Sequence, residues 1–123
     1  MAHYAILNED DYVKLVIVGK NEDEIVLDDN GNPIDWEEYY GGKRTSYNTW
    51  KGVHKLGGTP FRKNYAGQDF FYDRRRDAFI PPKQFPSWIW SEEECNWNPP
   101  QPHPNDGNGY YWDELTTTWK LID

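Results

Sequence analysis

The sequence is poor in cysteine, in aliphatic side chains, in clustered histidine and in positive charge. A single cysteine, Cys95, in 123 residues excludes an internal disulfide and a thiolate-rich zinc site, and it fits synthesis in a reducing cytoplasm. No apolar run is long enough to cross a membrane, and Met1-Ala2-His3 leads straight into a strand-like segment with no secretory signal. His3, His54 and His103 are scattered, with no ligand at motif spacing. A net charge of −8 argues against nucleic acid as the main partner. Gly41-Gly42-Lys43 lacks the earlier glycine of a phosphate loop, and Arg44 stands where a Ser or Thr would hold magnesium. Asp28, Asn30, Gly31 and Glu37 fall on later places of a calcium loop, but Val26 occupies the leading ligand position, so the segment reads as a turn. Carboxylates are plentiful, and none is singled out as an acid–nucleophile pair. The chain is therefore expected to be non-enzymatic, with no catalytic residue, metal or cofactor.

What the sequence does have is rings: aromatics are 17% of the chain, with seven tryptophans and nine tyrosines, against 37% hydrophobic residues in all. They are organised around Phe70–Trp97. Laid on itself with a shift of eighteen, this stretch sets Tyr72 on Trp90, Phe79 on Trp97, Pro81-Pro82 on Pro99-Pro100 and Pro86 on Pro104. A third aromatic pair follows at Trp112 and Trp119. Such tandem similarity points to repeated supersecondary units. Phe70 and Tyr72, Trp88 and Trp90, and Tyr110 and Trp112 alternate with the period of a strand, and polar runs separate the paired rings. The unit predicted is an aromatic-paired β-hairpin. Proline cannot donate to a ladder, so the Pro-rich segments end the strands and run on as stiff connectors. The fold expected is mainly β: a small domain of antiparallel hairpins, with copies near 70–80, 88–98 and 110–122, a short helix and a long irregular loop.

The chain divides into an acidic N-terminal part (1–42), a basic irregular arm (43–67) and the tandem hairpin region (68–123), expected by length to be parts of one structural unit. Residues 1–42 carry eleven acids and two bases, residues 43–83 ten bases and three acids, and residues 84–123 seven acids and one base. These blocks pair internally, dock neighbouring copies or form a solvated mixed surface whose pairs are worth little each. His3–Leu7 and Tyr12–Val18 read as a first hairpin around Asn8–Asp11. Ile25-Val26-Leu27 is a short strand or a helical turn, and Asn30-Gly31 is a turn. Asp35 caps a short helix through Tyr40 that puts Trp36, Tyr39 and Tyr40 on one face, and Gly41-Gly42 stops it. Residues 43–67 are the least regular part. A loop of that length either packs on its own side chains or orders against a partner. On the second reading its contact residues are Lys43, Arg44, Tyr47, Trp50, Lys51, Phe61, Arg62, Lys63 and Tyr65. The repeat rings Tyr72, Phe79, Trp90, Trp97, Trp112 and Trp119 read as core. Trp36, Trp50 and Trp88 are left open between core and surface.

The run RKNYAGQDFFYDRRRDAFIPPKQFPSWIWSEEECNWNPP, followed by PHPNDGNGYYWDELTTTW, resembles small proteins of marine cyanophages and related tailed phages. So do the opening MAHYAILNEDDYVKLVIVG and the middle elements KRTSYNTW and GGTPFRKNYAG, so that the resemblance covers nearly the whole chain. Arg74-Arg75-Arg76 is a more basic turn than the acidic ones of that family. The resemblance implies a virion structural protein, a capsid decoration or cement or a tail-fibre-like part. It would be made in the host cytoplasm, with other virion proteins and copies of itself as partners and no membrane. It brings no catalytic residues. Two alternatives stand beside it: a glycan-binding module using exposed Trp and Tyr, and a small phage effector that binds a host protein.

Overall fold

The computed structural model describes residues 2–21 and 24–122. Twelve short elements follow one another: β1 (Ala2–Leu7), β2 (Val13–Gly19), α1 (Trp36–Tyr40), β3 (Lys43–Thr45), β4 (Thr49–Trp50), β5 (Val53–His54), β6 (Phe71–Asp73), β7 (Ala78–Ile80), β8 (Ile89–Ser91), β9 (Asn96–Asn98), β10 (Tyr110–Asp113) and β11 (Thr118–Leu121). The protein is mainly β, built from small antiparallel sheets. One has three strands in the order β2-β1-β3, and four are two-stranded hairpins. No helix among the described residues is long and apolar enough to cross a membrane.

The first hairpin turns at Asn8, whose Oδ1 accepts from the backbone N–H groups of Asp10 and Tyr12 at 2.9 and 3.0 Å. This is the local side-chain-to-backbone bonding that favours Asn in turns. Ile25–Leu27, expected as a strand or helical turn, is neither: the segment is irregular, held by a single bridge between Leu27 and Pro33. All three of its apolar side chains are exposed, so no sheet or core is there to order them. The Asn30-Gly31 turn does form, around the Asp28 carboxylate, which accepts from the N–H groups of Asn30 and Asn32. Asp35 caps α1 by accepting from Glu37 and Glu38, and Gly41 closes it in the left-handed region at φ 69°. Trp36 is buried and donates its indole N–H to the Glu24 carbonyl at 2.9 Å, and Tyr40 packs on Tyr4 with ring centroids 4.9 Å apart.

Residues 43–67 do not form an irregular arm. They begin as β3 on the edge of the first sheet and continue as the β4–β5 hairpin. The turn of that hairpin, Lys51-Gly52, has positive φ at both residues, 52° and 81°, the geometry whose twist suits a two-residue hairpin loop. The strandless stretch is confined to 55–70, and it too is fastened inward. Ala66 N–H donates to Thr45 Oγ1 at 2.9 Å, Tyr65 N–H to the Thr49 carbonyl at 2.8 Å and Phe61 N–H to Thr49 Oγ1 at 3.1 Å. One buried cluster joins Ala5 and Val13 of the N-terminal part to Ala66, Tyr72 and Phe79; a second joins Ala2, Tyr4 and Trp36.

The three repeat hairpins are copies of one another. Tyr72 stands opposite Phe79, Trp90 opposite Trp97 and Trp112 opposite Trp119, with ring centroids 5.2, 5.0 and 5.2 Å apart. Each turn ends on a residue in the left-handed region: Asp77 at 49°, Cys95 at 50° and Thr117 at 51°. A polar side chain at the end of each first strand bonds into the turn: Asp73 to Arg76 N–H, Ser91 to Glu94 N–H and Asp113 to the Thr116 hydroxyl.

Candidate functional site: the exposed hairpin of the basic segment

Three bases of the basic block, Arg62, Arg74 and Arg76, pair with acids inside the molecule. Arg62 lies between Glu37 of α1 and Asp77 of the first repeat turn, at 2.8 and 2.7 Å, and also donates to the Arg44 carbonyl. Burial opposes its charge, but hydrogen bonds to Asp77 and Glu37 outweigh burial and raise its pKa above the ordinary guanidinium value. Burial likewise pushes the Asp77 carboxyl up, and the Tyr72 hydroxyl and Arg62 more than reverse it, leaving the carboxyl below the usual range. Arg74 grips Asp11 of the first hairpin turn at 2.8 and 2.9 Å. Arg76 reaches Glu92 of the next repeat turn at 2.7 Å. Arg74 and Arg76, placed where the second turn has Glu92 and Glu94, thus supply the complement to acidic neighbours on both sides.

The same turns chain the hairpins together. Trp90 and Trp112 donate their indole N–H groups to Glu92 and Glu114, the first residues of their own turns, at 2.8 and 2.9 Å. Glu114 in turn accepts from the N–H and hydroxyl of Ser87, on the connector before the second repeat hairpin, at 3.1 and 2.6 Å. On the opposite strands, Trp97 donates to the carbonyl of Pro81 at 3.0 Å and Trp119 to that of Gln101 at 2.8 Å. Each Trp hairpin is therefore bonded to the Pro-rich connector before it. Trp88, on the connector between the first and second repeat hairpins, packs on both rings of the last hairpin, 6.0 Å from Trp112 and 6.4 Å from Trp119.

The predicted contact residues fall into two groups. Lys43 lies over the Tyr72 ring and Arg44 over Phe61; Arg62 is in its ion pairs; Tyr65 and Phe61 are bonded to Thr49, and Tyr65 packs edge-on against His3. Lys51 bonds through its backbone to Asn64 and through its ammonium to Asn98. Lys63, with φ 69°, lies against Gly52. These seven serve the fold. Tyr47 and Trp50 face outward, 58% and 44% exposed, as do Val53 on β5 and Leu56 just after it, 64% and 76% exposed. Trp50 stands directly opposite Val53 in the β4–β5 register, so a tight, low-entropy turn presents an aromatic–aliphatic pair to solvent. Val53 and Leu56 carry no pattern in the sequence that marks them; only the β4–β5 pairing sets Val53 opposite Trp50. Elsewhere, a polar cleft of about 430 Å³ beside α1 is lined by Asp35, Glu37, Glu38, Lys43 and Arg74, several of whose charges are already engaged as caps or ion pairs. Among the described residues no group of three His, Cys, Asp or Glu is placed to share a metal ion.

Comparison with protein-family models, with curated proteins and with solved structures returns no match.

Proposed function

We propose that the chain is a non-enzymatic structural protein of a bacteriophage particle, a capsid decoration or cement or a tail or fibre component. It would be made in the host cytoplasm and act by protein–protein contact with other virion proteins and with copies of itself. The observation that carries this reading is the β4–β5 hairpin, which holds Tyr47, Trp50, Val53 and Leu56 out of the core on a braced turn. Aromatic anchors on a rigid scaffold are the usual centres of protein interfaces. The resemblance to small cyanophage proteins read from the sequence supports it. Internal pairing of Arg62, Arg74 and Arg76 directs the expected contact toward apolar side chains rather than a basic arm, and speaks against nucleic acid as the main partner. The sugar-binding alternative draws less support, because Trp88, Trp112 and Trp119 are packed on one another.

The test is mass spectrometry of gradient-purified particles, with copy number set against the major capsid protein. Hundreds of copies fit a decoration or cement, and a few to a few dozen fit a tail or fibre part. Absence from the particle overturns the proposal and leaves the host-directed effector.

A further inference from the structure

Where the turn of the β4–β5 hairpin meets the second repeat hairpin, three side chains form a chemically specific row. Lys51 Nζ lies 2.6 Å from Asn98 Oδ1, and Asn98 Nδ2 donates to Glu94 Oε1 at 2.7 Å. The amine thus faces the carbonyl side of the carboxamide, and a carboxyl group faces the nitrogen that would have to leave. We propose that Lys51 and Asn98 become joined by an isopeptide bond that the folded chain forms on itself, with Glu94 carrying the proton.

The step balances without any further reagent. The Lys51 ammonium first releases one proton to solvent; the neutral amine then attacks Asn98 Cγ, passing a second proton to the Glu94 carboxylate as the tetrahedral intermediate forms. Glu94 returns it to the carboxamide nitrogen, which departs as ammonia. One N–C bond breaks, one forms, and nothing is oxidised or reduced. Lysine amines are established nucleophiles in covalent chemistry, and a carboxyl group within hydrogen-bond reach of the leaving nitrogen is placed as a general acid–base. Each chain reacts once, so the chemistry is a modification rather than turnover.

The fold holds both reactants in place, and such preorganisation removes much of the barrier to a reaction of this kind. Lys51 sits at φ 52° in a two-residue turn, and its own N–H donates to Asn64 Oδ1 at 2.9 Å. The Nδ2 of that same buried Asn64 donates to the carbonyls of Glu94 and Cys95 at 3.2 and 2.8 Å. One side chain therefore holds the backbone of both the nucleophile and the acid–base; Asn64 is a positioning residue. Asn98 ends β9, and Lys51, Glu94 and Asn98 are all partly shielded from solvent. Asn98 is followed by Pro99, which has no N–H, so the common competing cyclisation onto the next peptide nitrogen is closed to it.

Intact-mass measurement of the purified full chain tests this. The expected mass is that of the sequence less one ammonia, with a tryptic product in which the segments holding residues 51 and 98 are linked. Lys51→Arg, which keeps the charge, should restore the full mass while the far-ultraviolet spectrum stays native. Glu94→Gln keeps an acceptor for Asn98 Nδ2 but carries no acid proton, and should slow bond formation at least tenfold. Asn30-Gly31 and Asn108-Gly109 can also lose ammonia, but into unlinked peptides and regardless of Lys51→Arg. Full sequence mass in folded wild-type protein after prolonged incubation overturns the proposal. A bond that forms as fast with Glu94→Gln overturns the role of Glu94.

Discussion

Asn64 accepts a hydrogen bond from Asn96 Nδ2 at 2.8 Å, across 32 positions of chain. Both side chains are buried, and Asn64 also bonds Lys51 N–H and the carbonyls of Phe79, Glu94 and Cys95. One side chain thus satisfies backbone groups from the basic segment and from the first two repeat hairpins. Asn64→Leu would leave those groups unpaired in the interior, where each costs about 1–3 kcal/mol. The expected loss is at least about 3 kcal/mol, read from the denaturant midpoint. Asn64→Asp should cost more, since it turns a carboxylate toward the carbonyls. A midpoint that barely moves would mean that Asn64 is not the link between these parts.

The two connector bonds make a second prediction. Trp97 and Trp119 each donate an indole N–H to a connector carbonyl, whereas Phe79, at the matching place in the first hairpin, has no donor. Trp97→Phe and Trp119→Phe keep the ring pair and remove the bond. Each should cost about 1 kcal/mol in chemical denaturation, with further loss from the reduced ring area. The two sites lie in different hairpins, so the double variant should be near additive.

The hairpins were legible in the sequence because paired rings at fixed spacing fix register, face and turn length at once. Asp35 and Gly41-Gly42 marked the ends of α1 for a similarly local reason. The path of residues 43–67 was not legible. Its order comes from single side chains that bond distant backbone, Thr45, Thr49 and Asn64, and such contacts leave no period in a sequence. β3 pairs with β1, about forty positions upstream, and the β4–β5 turn is Lys-Gly rather than the Asn-Gly that announces such a hairpin. Of the nine contact residues expected there, only Tyr47 and Trp50 stand among the strongly exposed hydrophobics, because the charge that made the segment look available is used inside.

Acid should weaken the fold in two windows. His3 sits among Tyr47, Tyr65 and Thr45, and burial, then the nearby Arg44 charge, lowers its pKa below the ordinary value. The unfolded chain therefore binds the proton more readily, so this contribution is complete above about pH 6.5 and is lost as pH falls below it. Asp77, also lowered, contributes above about pH 4 and loses that contribution only in stronger acid. A melting temperature that falls between pH 7.5 and 5 in the native chain, and falls less in His3→Gln, checks the first window. An equal fall in both chains would show that His3 does not sense the change.

The exposed hairpin allows contact and stability to be separated. Val53 and Leu56 are mostly in solvent, so Val53→Gln with Leu56→Gln should change stability by no more than about 0.5 kcal/mol each. Trp50 also packs on Phe70, with ring centroids 6.2 Å apart, and Trp50→Gln should cost about 1 kcal/mol. If the hairpin is the contact surface, its loss from an interface centre should weaken association by about 2 kcal/mol or more, roughly thirtyfold. The measurement is co-sedimentation of added protein with particles assembled without it, run beside a denaturant curve for each variant. A triple variant that folds yet stays in the supernatant places the contact on this hairpin. A triple variant that sediments as well as the native chain moves the contact elsewhere, and the exposed apolar segments Ile25–Leu27 and Leu121–Ile122 become the next surfaces to alter.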